Sequence, residues 1–194
     1  MTGIEDEREQ ESNGRKVLMD EAQMRRTLVR IAHEIAEQVP EPDRLALVGI
    51  RRRGVELVDR LVGIFQEFHG FRPDTGTIDI TFYRDDIDTR RTAHAFEQPE
   101  VHSTTLPFDL RGKTVVLVDD VLYTGRTIRA AIEALFDYGR PAAVRLAVLV
   151  DRGHRELPIR PDFIGKNVPT ARSEKVTVYM VETDGVDEVV LDRG

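Results

Sequence analysis

The chain has 194 residues, no cysteine and a formal net charge of −7 at pH 7, and 40% of its residues are hydrophobic. This length fits one domain with a sizeable core. The missing cysteine excludes a disulfide framework and a thiolate metal site, and no apolar run is long enough to cross a bilayer. The acidic N-terminus is unlike a signal peptide, so we expect a cytoplasmic protein.

The negative charge is concentrated at the two ends of the chain. Residues 1–14 and 182–194 each hold five acids and one arginine, which leaves the rest of the chain close to neutral. Net charge therefore does not exclude a nucleic-acid partner. Residues 1–16 are predicted to be a disordered acidic tail, and residues 17–194 a single domain.

The first predicted helix begins near Asp20, where Gln23 fits a capping box. Apolar residues then recur at helical spacing, and they are Met24, Leu28, Ile31, Ile35 and Val39. Arg26, Arg30 and His33 line another face of this helix. That basic face is either a solvated surface or a contact surface for phosphates and bases.

Three apolar runs, at residues 45–50, 115–118 and 143–150, are predicted to be buried parallel strands. A further strand is predicted over residues 78–82, and residues 176–180 with 189–191 are expected to finish the sheet. Strand and helix alternate, which predicts a doubly wound, mainly parallel α/β sheet with flanking helices. The carboxyl ends of such strands share one edge, where ligands bind.

Residues 113–139 carry the strongest functional signal. A buried strand leads to Asp119 and Asp120, and the turn from Thr124 to Thr127 opens a helix. Free amide groups at a helix N-terminus favour a phosphate, and Gly125 allows close approach. Ionised carboxylates accept hydrogen bonds from the vicinal hydroxyls of a ribose. The bare acidic pair would equally suit a turn, but its neighbours favour a ribose phosphate site.

The segment VVLVDDVLYTGRT resembles the phosphoribosyl-pyrophosphate (PRPP) signature of type I phosphoribosyltransferases. The segments DRGHRELPIR and GKN resemble more narrowly the bacterial PyrR family, whose members regulate pyrimidine operons and are also uracil phosphoribosyltransferases. The likeness extends over residues 17–181. It implies the type I phosphoribosyltransferase fold, with a flexible loop after residue 83 and a small hood at about residues 152–174.

The implied reaction is a pentosyl transfer in which uracil and PRPP give UMP and pyrophosphate. Asp119 and Asp120 are the implied catalytic residues. Mg²⁺ is expected to be held mainly by PRPP, and Asp151 either assists through water or caps the turn before Gly153. The expected substrate-binding residues, besides the two aspartates, are Arg52, Arg53, Arg84, Val121, Leu122, Tyr123, Thr124, Gly125, Arg126, Thr127, Arg152 and Val176. Arg52 departs from the family, which usually has threonine there.

Position 123 bears on the choice of base. The hypoxanthine and guanine phosphoribosyltransferases resemble the same motif but place an aspartate before the Thr-Gly pair, where this chain has Tyr123. A phenol with an ordinary pKa of about 10 is a poor general base near neutrality. Tyr123 therefore disfavours a purine substrate.

The resemblance also implies a second surface, which binds a hairpin in pyrimidine-operon mRNA. It places Arg155, Arg160 and Lys166 beside Arg30 and His33. UMP or UTP in the active site is expected to favour RNA binding. The family often has a hydroxyl residue where this chain has Val29, so control of translation initiation is an alternative to transcription attenuation. A homodimer or larger assembly is also a family expectation.

Three hypotheses remain open on the sequence alone. The first is a bifunctional protein that makes UMP and binds RNA. The second is a purine salvage enzyme without RNA affinity, which Tyr123 disfavours. The third is a pure RNA regulator that binds nucleotides without turnover, which the intact PRPP motif disfavours.

Overall fold

The structure is a computed structural model that describes residues 14–83 and 104–193. In chain order its helices and strands are β1 (Arg15–Asp20), α1 (Glu21–Gln38), β2 (Leu45–Ile50), α2 (Arg53–His69), β3 (Asp74–Ile78), β4 (Thr114–Leu122), α3 (Arg126–Tyr138), β5 (Ala143–Asp151), β6 (Phe163–Asn167), β7 (Lys175–Tyr179), α4 (Val181–Asp184) and β8 (Glu188–Asp192). The predicted tail up to residue 13 and most of the predicted flexible loop, including Arg84, lie outside the described residues.

A five-stranded parallel sheet in the order β3-β2-β4-β5-β6 forms the centre of the fold. Successive residues of a strand point to opposite faces, and both faces are covered. Leu45 and Leu47 pack with the apolar sides of α1 and α2, whereas Ala46 and Val48 pack with α3. The predicted doubly wound parallel sheet is therefore confirmed.

The predicted start of α1 is confirmed in detail. The Asp20 side chain accepts a hydrogen bond from the Gln23 amide at 2.7 Å, and the Gln23 side chain accepts one from the Asp20 amide at 3.1 Å. These two bonds satisfy free amides at the helix N-terminus. All five residues of the predicted apolar stripe are buried.

A second, smaller sheet takes the order β1-β8-β7 and is antiparallel. The prediction that residues 176–180 and 189–191 finish the main sheet is wrong, because β6 occupies that edge and β8 pairs with β1 instead. Arg15 and Lys16, predicted to lie in the disordered tail, pair with Asp192 and Leu191. Residues 163–167 of the predicted hood are β6 of the main sheet, and Phe163 is fully buried.

The predicted strand over residues 78–82 is displaced toward the N-terminus. Strand β3 ends at Ile78, and the Asp79 side chain accepts hydrogen bonds from the Thr81 amide at 2.8 Å and the Thr81 hydroxyl at 2.5 Å. These bonds bend the backbone into a 3-10 turn over Thr81–Tyr83. Within the described ranges, no helix is long and apolar enough to span a membrane.

A close backbone approach holds the loop between β2 and α2 against β4. A Cβ atom on Gly54 would lie 2.3 Å from the carbonyl oxygen of Val118, and one on Gly49 would lie 2.6 Å from the carbonyl oxygen of Gly54. The Arg51 amide donates to the carbonyl of Ile78 at 3.0 Å. Glycine at position 54 therefore lets this loop reach the carboxyl end of the central strand.

We expect Gly54→Ala to destabilise the fold by at least about 2 kcal/mol, because the added methyl group must displace the β4 backbone. Gly63→Ala is the matched control, since it lies in the same helix and a Cβ there meets nothing within 4 Å. That control should be neutral or stabilising by up to about 1 kcal/mol. Urea unfolding of both variants measures the difference, and equal stabilities would contradict the close approach.

Candidate active site and basic surface

The acidic pair lies inside β4, not at its end. The sequence predicted that the strand ends at the pair, but the pairing with β5 continues from Asp119, opposite Val148, to Leu122, opposite Asp151. The strand continues because Leu122 is apolar and buried in the core. Asp119 is itself buried, with 8% of its surface exposed, and Asp120 is half-buried.

Burial governs the electrostatics of this pair. Asp119 Oδ1 accepts from the Asp120 amide at 3.0 Å, and Asp120 Oδ1 accepts from the Val121 amide at 2.8 Å. Burial, joined by the charge of Asp120, raises the pKa of Asp119 well above its usual range. Burial also raises the pKa of Asp120, although the Val121 amide and the charge of Arg53 oppose this rise. Hydroxyl donors of a ligand would stabilise both ionised carboxylates.

The turn from Tyr123 to Thr127 has the geometry expected of an anion site. Gly125 is left-handed, with φ 93°, and is the residue before the first turn of α3. The Arg126 amide lies 3.3 Å from the Thr124 hydroxyl oxygen, to which it donates. Behind the turn, the Thr124 carbonyl accepts from the amides of Glu156 and Leu157. The helix N-terminus therefore opens at the same sheet edge as the acidic pair.

The loop after β2 brings Arg53 to this edge. Arg53 Nη2 donates to the carboxylate of Asp184 at 3.2 and 3.3 Å. Arg53 Nε is buried and has no hydrogen-bond partner in the described part of the chain. Arg52, beside it, is exposed, and the peptide bond between Arg51 and Arg52 is cis. Arg53 is close enough to Asp120 to lower the pKa of that carboxyl group.

Tyr123 is covered by two residues from the segment after β5. The guanidinium of Arg152 lies over the Tyr123 ring, 4.2 Å from its centroid, and the His154 ring approaches edge-on at 5.9 Å. Arg152 is buried, and its Nη2 donates to the carbonyls of Ala171 and Glu174 at 3.2 and 2.6 Å. A cation above an aromatic ring is a favourable contact. The predicted Arg152 and Tyr123 are therefore brought together.

His154 was missed by the sequence analysis. Its backbone is left-handed, with φ 61°, and its Nε2 lies 2.6 Å from the Thr170 carbonyl oxygen. Positive φ at a residue other than glycine has no simple sequence signal beyond the preceding Gly153. Val176, which was predicted to bind substrate, is buried on β7 in the core cluster that Val121 packs against.

Asp151 caps the turn that follows β5. Its Oδ1 accepts from the Gly153 amide at 3.0 Å, and its Oδ2 accepts from Arg155 Nη2 at 2.5 Å. Arg155 also donates to the carbonyls of Tyr123, at 2.7 Å, and Ile159, at 3.0 Å. The structure thus places Arg155 against the turn that follows β4. Its predicted contact with RNA stays a prediction.

We define the basic surface by Arg26, Arg30 and Lys166. Arg30 Nη2 donates to the carbonyls of Ile164 and Gly165 at 3.0 and 2.6 Å, and Lys166 Nζ donates to the Leu18 carbonyl at 2.7 Å. A shallow pocket of about 370 Å³ lies among them, lined by Met19, Gln23, Arg26, Thr27, Arg30, Gly165 and Lys166. The structure therefore brings the predicted Arg30 and Lys166 together at the junction of α1, β1 and β6.

The other predicted RNA contacts lie elsewhere. Arg160 is exposed in the segment before β6. His33 is exposed on α1 and packs edge-on against Phe68, at 5.5 Å, and His69, at 4.9 Å. Burial and the neighbouring His33 lower the pKa of His69, a residue that the sequence analysis did not identify. His33 therefore belongs to an aromatic cluster between α1 and α2.

We expect Asp119→Asn to stabilise the fold at high pH. Folding raises the pKa of Asp119, so the folded chain favours the protonated carboxyl. Stability is therefore lost as the pH rises from the ordinary aspartate pKa, near 3.8, to the raised pKa of the folded chain. The asparagine keeps an acceptor for the Asp120 amide without a buried charge. The gain should be roughly 1–3 kcal/mol at pH 8 and should shrink toward pH 4.

Urea unfolding of the wild type and the variant across this pH range measures the effect. Asp59→Asn is the control, because Asp59 is exposed on α2 and its loss should change stability by less than about 0.5 kcal/mol at any pH. A gain for Asp119→Asn that is equal at pH 4 and pH 8 would contradict the raised pKa.

Comparison with known proteins places the chain in a family. Residues 18–179 match the family model of the phosphoribosyl transferase domain. A protein of Chloroflexus aurantiacus named bifunctional protein PyrR is 57% identical over 179 residues, covering 92% of this chain and 96% of that protein. The protein of the same name from Thermus thermophilus is 56% identical over 174 residues, covering 90% and 93%.

Solved structures show the same fold at much lower identity. The hypoxanthine phosphoribosyltransferase of Trypanosoma cruzi superposes with a TM-score of 0.66 at 20% identity, covering 92% of this chain and 96% of that chain. The Staphylococcus aureus hypoxanthine phosphoribosyltransferase gives a TM-score of 0.64 at 16% identity, covering 92% of each chain. These two likenesses bear on the fold alone. The domain model spans most of the chain, and relatives at 56 and 57% identity cover nine tenths of it. The chain therefore belongs to the PyrR family of phosphoribosyl transferase domain proteins.

Proposed function

We propose that this protein transfers the phosphoribosyl group of PRPP to uracil, giving UMP and pyrophosphate, and that it also binds pyrimidine-operon mRNA. The observation that carries the enzymatic part is the meeting of three features at one sheet edge. These are the buried acidic pair of β4, the turn that opens α3, and the Arg53 loop after β2. The substrates and the mRNA also favour a cytoplasmic location.

Each of the three features binds a different part of PRPP. The 5′-phosphate binds at the amides and hydroxyls of Thr124 to Thr127, where the helix dipole favours an anion. The ribose hydroxyls donate to Asp119 and Asp120, which relieves the cost of two buried negative charges. Pyrophosphate binds at the loop that carries Arg52 and Arg53.

The transfer forms a bond between uracil N1 and the anomeric carbon while the bond from that carbon to pyrophosphate breaks, and the N1 proton passes to the departing pyrophosphate or to water. Positive charge develops on the sugar ring, and the ionised Asp119 and Asp120 lie where they stabilise it. Fixing the two reactants at one edge removes much of the entropic cost of their encounter. In this account the base binds near Tyr123, over whose ring the Arg152 guanidinium lies.

Mg²⁺ is part of the proposal because PRPP carries a pyrophosphate whose departing charge a divalent cation neutralises. PRPP oxygens and water are its main ligands in this account. Asp151 Oδ1 and Oδ2 each accept one hydrogen bond, from Gly153 and Arg155, and each keeps a second lone pair that a metal-bound water would use.

The RNA-binding part is supported by the basic surface. Arg26, Arg30 and Lys166 surround a shallow pocket at the junction of α1, β1 and β6. Positively charged concave surfaces suit RNA loops and bulges. Control of operon expression then follows either by transcription attenuation or at translation initiation. The homodimer or larger assembly expected of the family is also part of the proposal.

Short strands connect the two surfaces. Asp151 of β5 pairs with Asn167 of β6, and the Val168 amide donates to the Asp151 carbonyl at 2.8 Å. The neighbouring Lys166 reaches β1, and Gly165 accepts from Arg30 of α1. Uridine nucleotide at the β4 and β5 edge is therefore one strand away from the RNA surface. In our account this proximity lets UMP or UTP favour RNA binding.

Turnover of PRPP with uracil, hypoxanthine, guanine and orotate, each with Mg²⁺, tests the enzymatic part. We expect UMP as the nucleotide product and less than about a hundredth of that rate with either purine, because Tyr123 replaces the acid that faces the purine ring in that class. Chromatography identifies each product. A purine nucleotide as the main product would contradict the proposal, and no product with any base would favour a pure RNA regulator.

Arg30→Glu should weaken binding of the operon hairpin at least about tenfold, because it replaces a positive charge at the basic surface with a negative one. UMP synthesis should change by less than about twofold. Arg25→Glu is the matched control, since it makes the same charge change on the same helix where Arg25 faces Glu67. Filter binding at fixed salt measures RNA affinity, and equal losses for both variants would contradict a local RNA contact.

A further inference from the structure

An ion pair between Arg53 and Asp184 connects the loop after β2, at the proposed PRPP site, to the small sheet. Arg53 is the first residue of α2, whereas Asp184 is the last residue of α4, which connects β7 to β8. The two side chains are 31% and 19% exposed, so the pair is shielded but not sealed from water. The Asp184 carboxylate also accepts from the Met180 amide at 2.8 Å, which fixes it within its own element.

Two acids lie near Arg53. Its Nη2 contacts Asp184, and the next residue, Gly54, packs against the Val118 carbonyl, directly before the acidic pair. The charge of Arg53 also lowers the pKa of Asp120. Among the described residues, Asp119 on β4 and Arg53 on α2 are the charged groups that act on Asp120. Without Asp184, the guanidinium would be drawn to Asp120, because opposite charges attract strongly in a partly buried site. Such a pair would occupy the carboxylate that the ribose hydroxyls need.

Helix α4 does not depend on this ion pair for its place. Arg60 of α2 donates to Glu182 and to Asp187, in each case with a contact of 2.6 Å, and the Thr183 hydroxyl donates to Glu56. These contacts anchor α4 to α2 independently of Asp184. Asp184 is therefore not needed to hold α4 in place, and its contact with Arg53 can serve to orient the arginine side chain.

Resting on the proposed function, we propose that Asp184 is a positioning residue for Arg53. It holds Nη2 of the guanidinium away from Asp120 and leaves Nη1 for the pyrophosphate of PRPP. Arg53 would otherwise form a resident ion pair with Asp120 that PRPP has to break. Asp184 thus keeps the pyrophosphate contact and the ribose contact separate.

Asp184→Asn is the informative variant, because the amide oxygen still accepts from the Met180 amide while the charge is lost. We expect the KM for PRPP and the Kd for inorganic pyrophosphate to rise about five- to tenfold, the size of one charge-assisted hydrogen bond. The KM for uracil should stay within about twofold. Steady-state kinetics and calorimetry with inorganic pyrophosphate measure these constants.

The pH profile provides a readout that a general loss of structure would not move. The acid limb of kcat/KM for PRPP reports protonation of the Asp119 and Asp120 pair. With Asp184 neutralised, Arg53 moves toward Asp120 and one nearby negative charge is lost, and both changes stabilise the ionised carboxylate. The limb should therefore shift to lower pH by roughly half a unit or more.

Glu182→Gln is the matched control, since it removes a carboxylate of the same helix that pairs with a different arginine of α2. It should leave the pH profile and pyrophosphate affinity unchanged, and Asp184→Glu should restore most of the wild-type behaviour. The proposal is overturned if Asp184→Asn binds pyrophosphate as tightly as the wild type or more tightly, or if Glu182→Gln reproduces its effects. The wild type could make no UMP while Asp184→Asn still weakens pyrophosphate binding relative to the wild type. That result would reject the proposed reaction and keep the role of Asp184.

Discussion

Two neighbouring carboxylates are buried at the carboxyl end of the central strand, and the arrangement of the site depends on them. Asp119 and Asp120 lie within β4, where the pairing with β5 fixes their backbone and burial raises the pKa of both. Such a pair is costly for the empty fold and is stabilised by hydroxyl donors of a ligand. The start of α2 packs on this strand at Gly54, and the turn with Gly125 follows the strand directly. In the proposed function, phosphate sites therefore flank the ribose site.

The same scaffold provides a second surface without a second domain. Strand β6 lies at the edge of the main sheet, and its backbone carbonyls and Lys166 contact α1 and β1. Strand β5 lies between β4, which carries the acidic pair, and β6, which contributes to the basic surface. This closeness suits the proposed coupling, because a nucleotide that alters the contacts of β5 also acts on the neighbouring β6.

The sequence was sufficient to predict the class of the main sheet and its strands β2, β4 and β5, the capping box of α1 and the three segments that meet at the ligand edge. It displaced β3 and placed β6 in the hood. These predictions rest on local signals, namely apolar periodicity, turn glycines and the position of charges at strand ends. It was insufficient for the small sheet, because pairing of β1 with β8 joins residues 168 to 177 positions apart. The ion pair of Arg53 with Asp184 and the packing of His154 on Tyr123 likewise depend on tertiary contacts that no local pattern encodes.

The most direct test of the account is the affinity of the operon hairpin measured with increasing UMP, in the wild type and in Asp120→Asn. The account predicts that UMP tightens RNA binding in the wild type. In Asp120→Asn it predicts the same RNA affinity without UMP, but a substantially higher UMP concentration for the tightening, because the ribose contact is weakened. RNA affinity that is independent of UMP in the wild type, or an Asp120→Asn variant that has lost RNA affinity without any nucleotide, would contradict two separate and coupled surfaces.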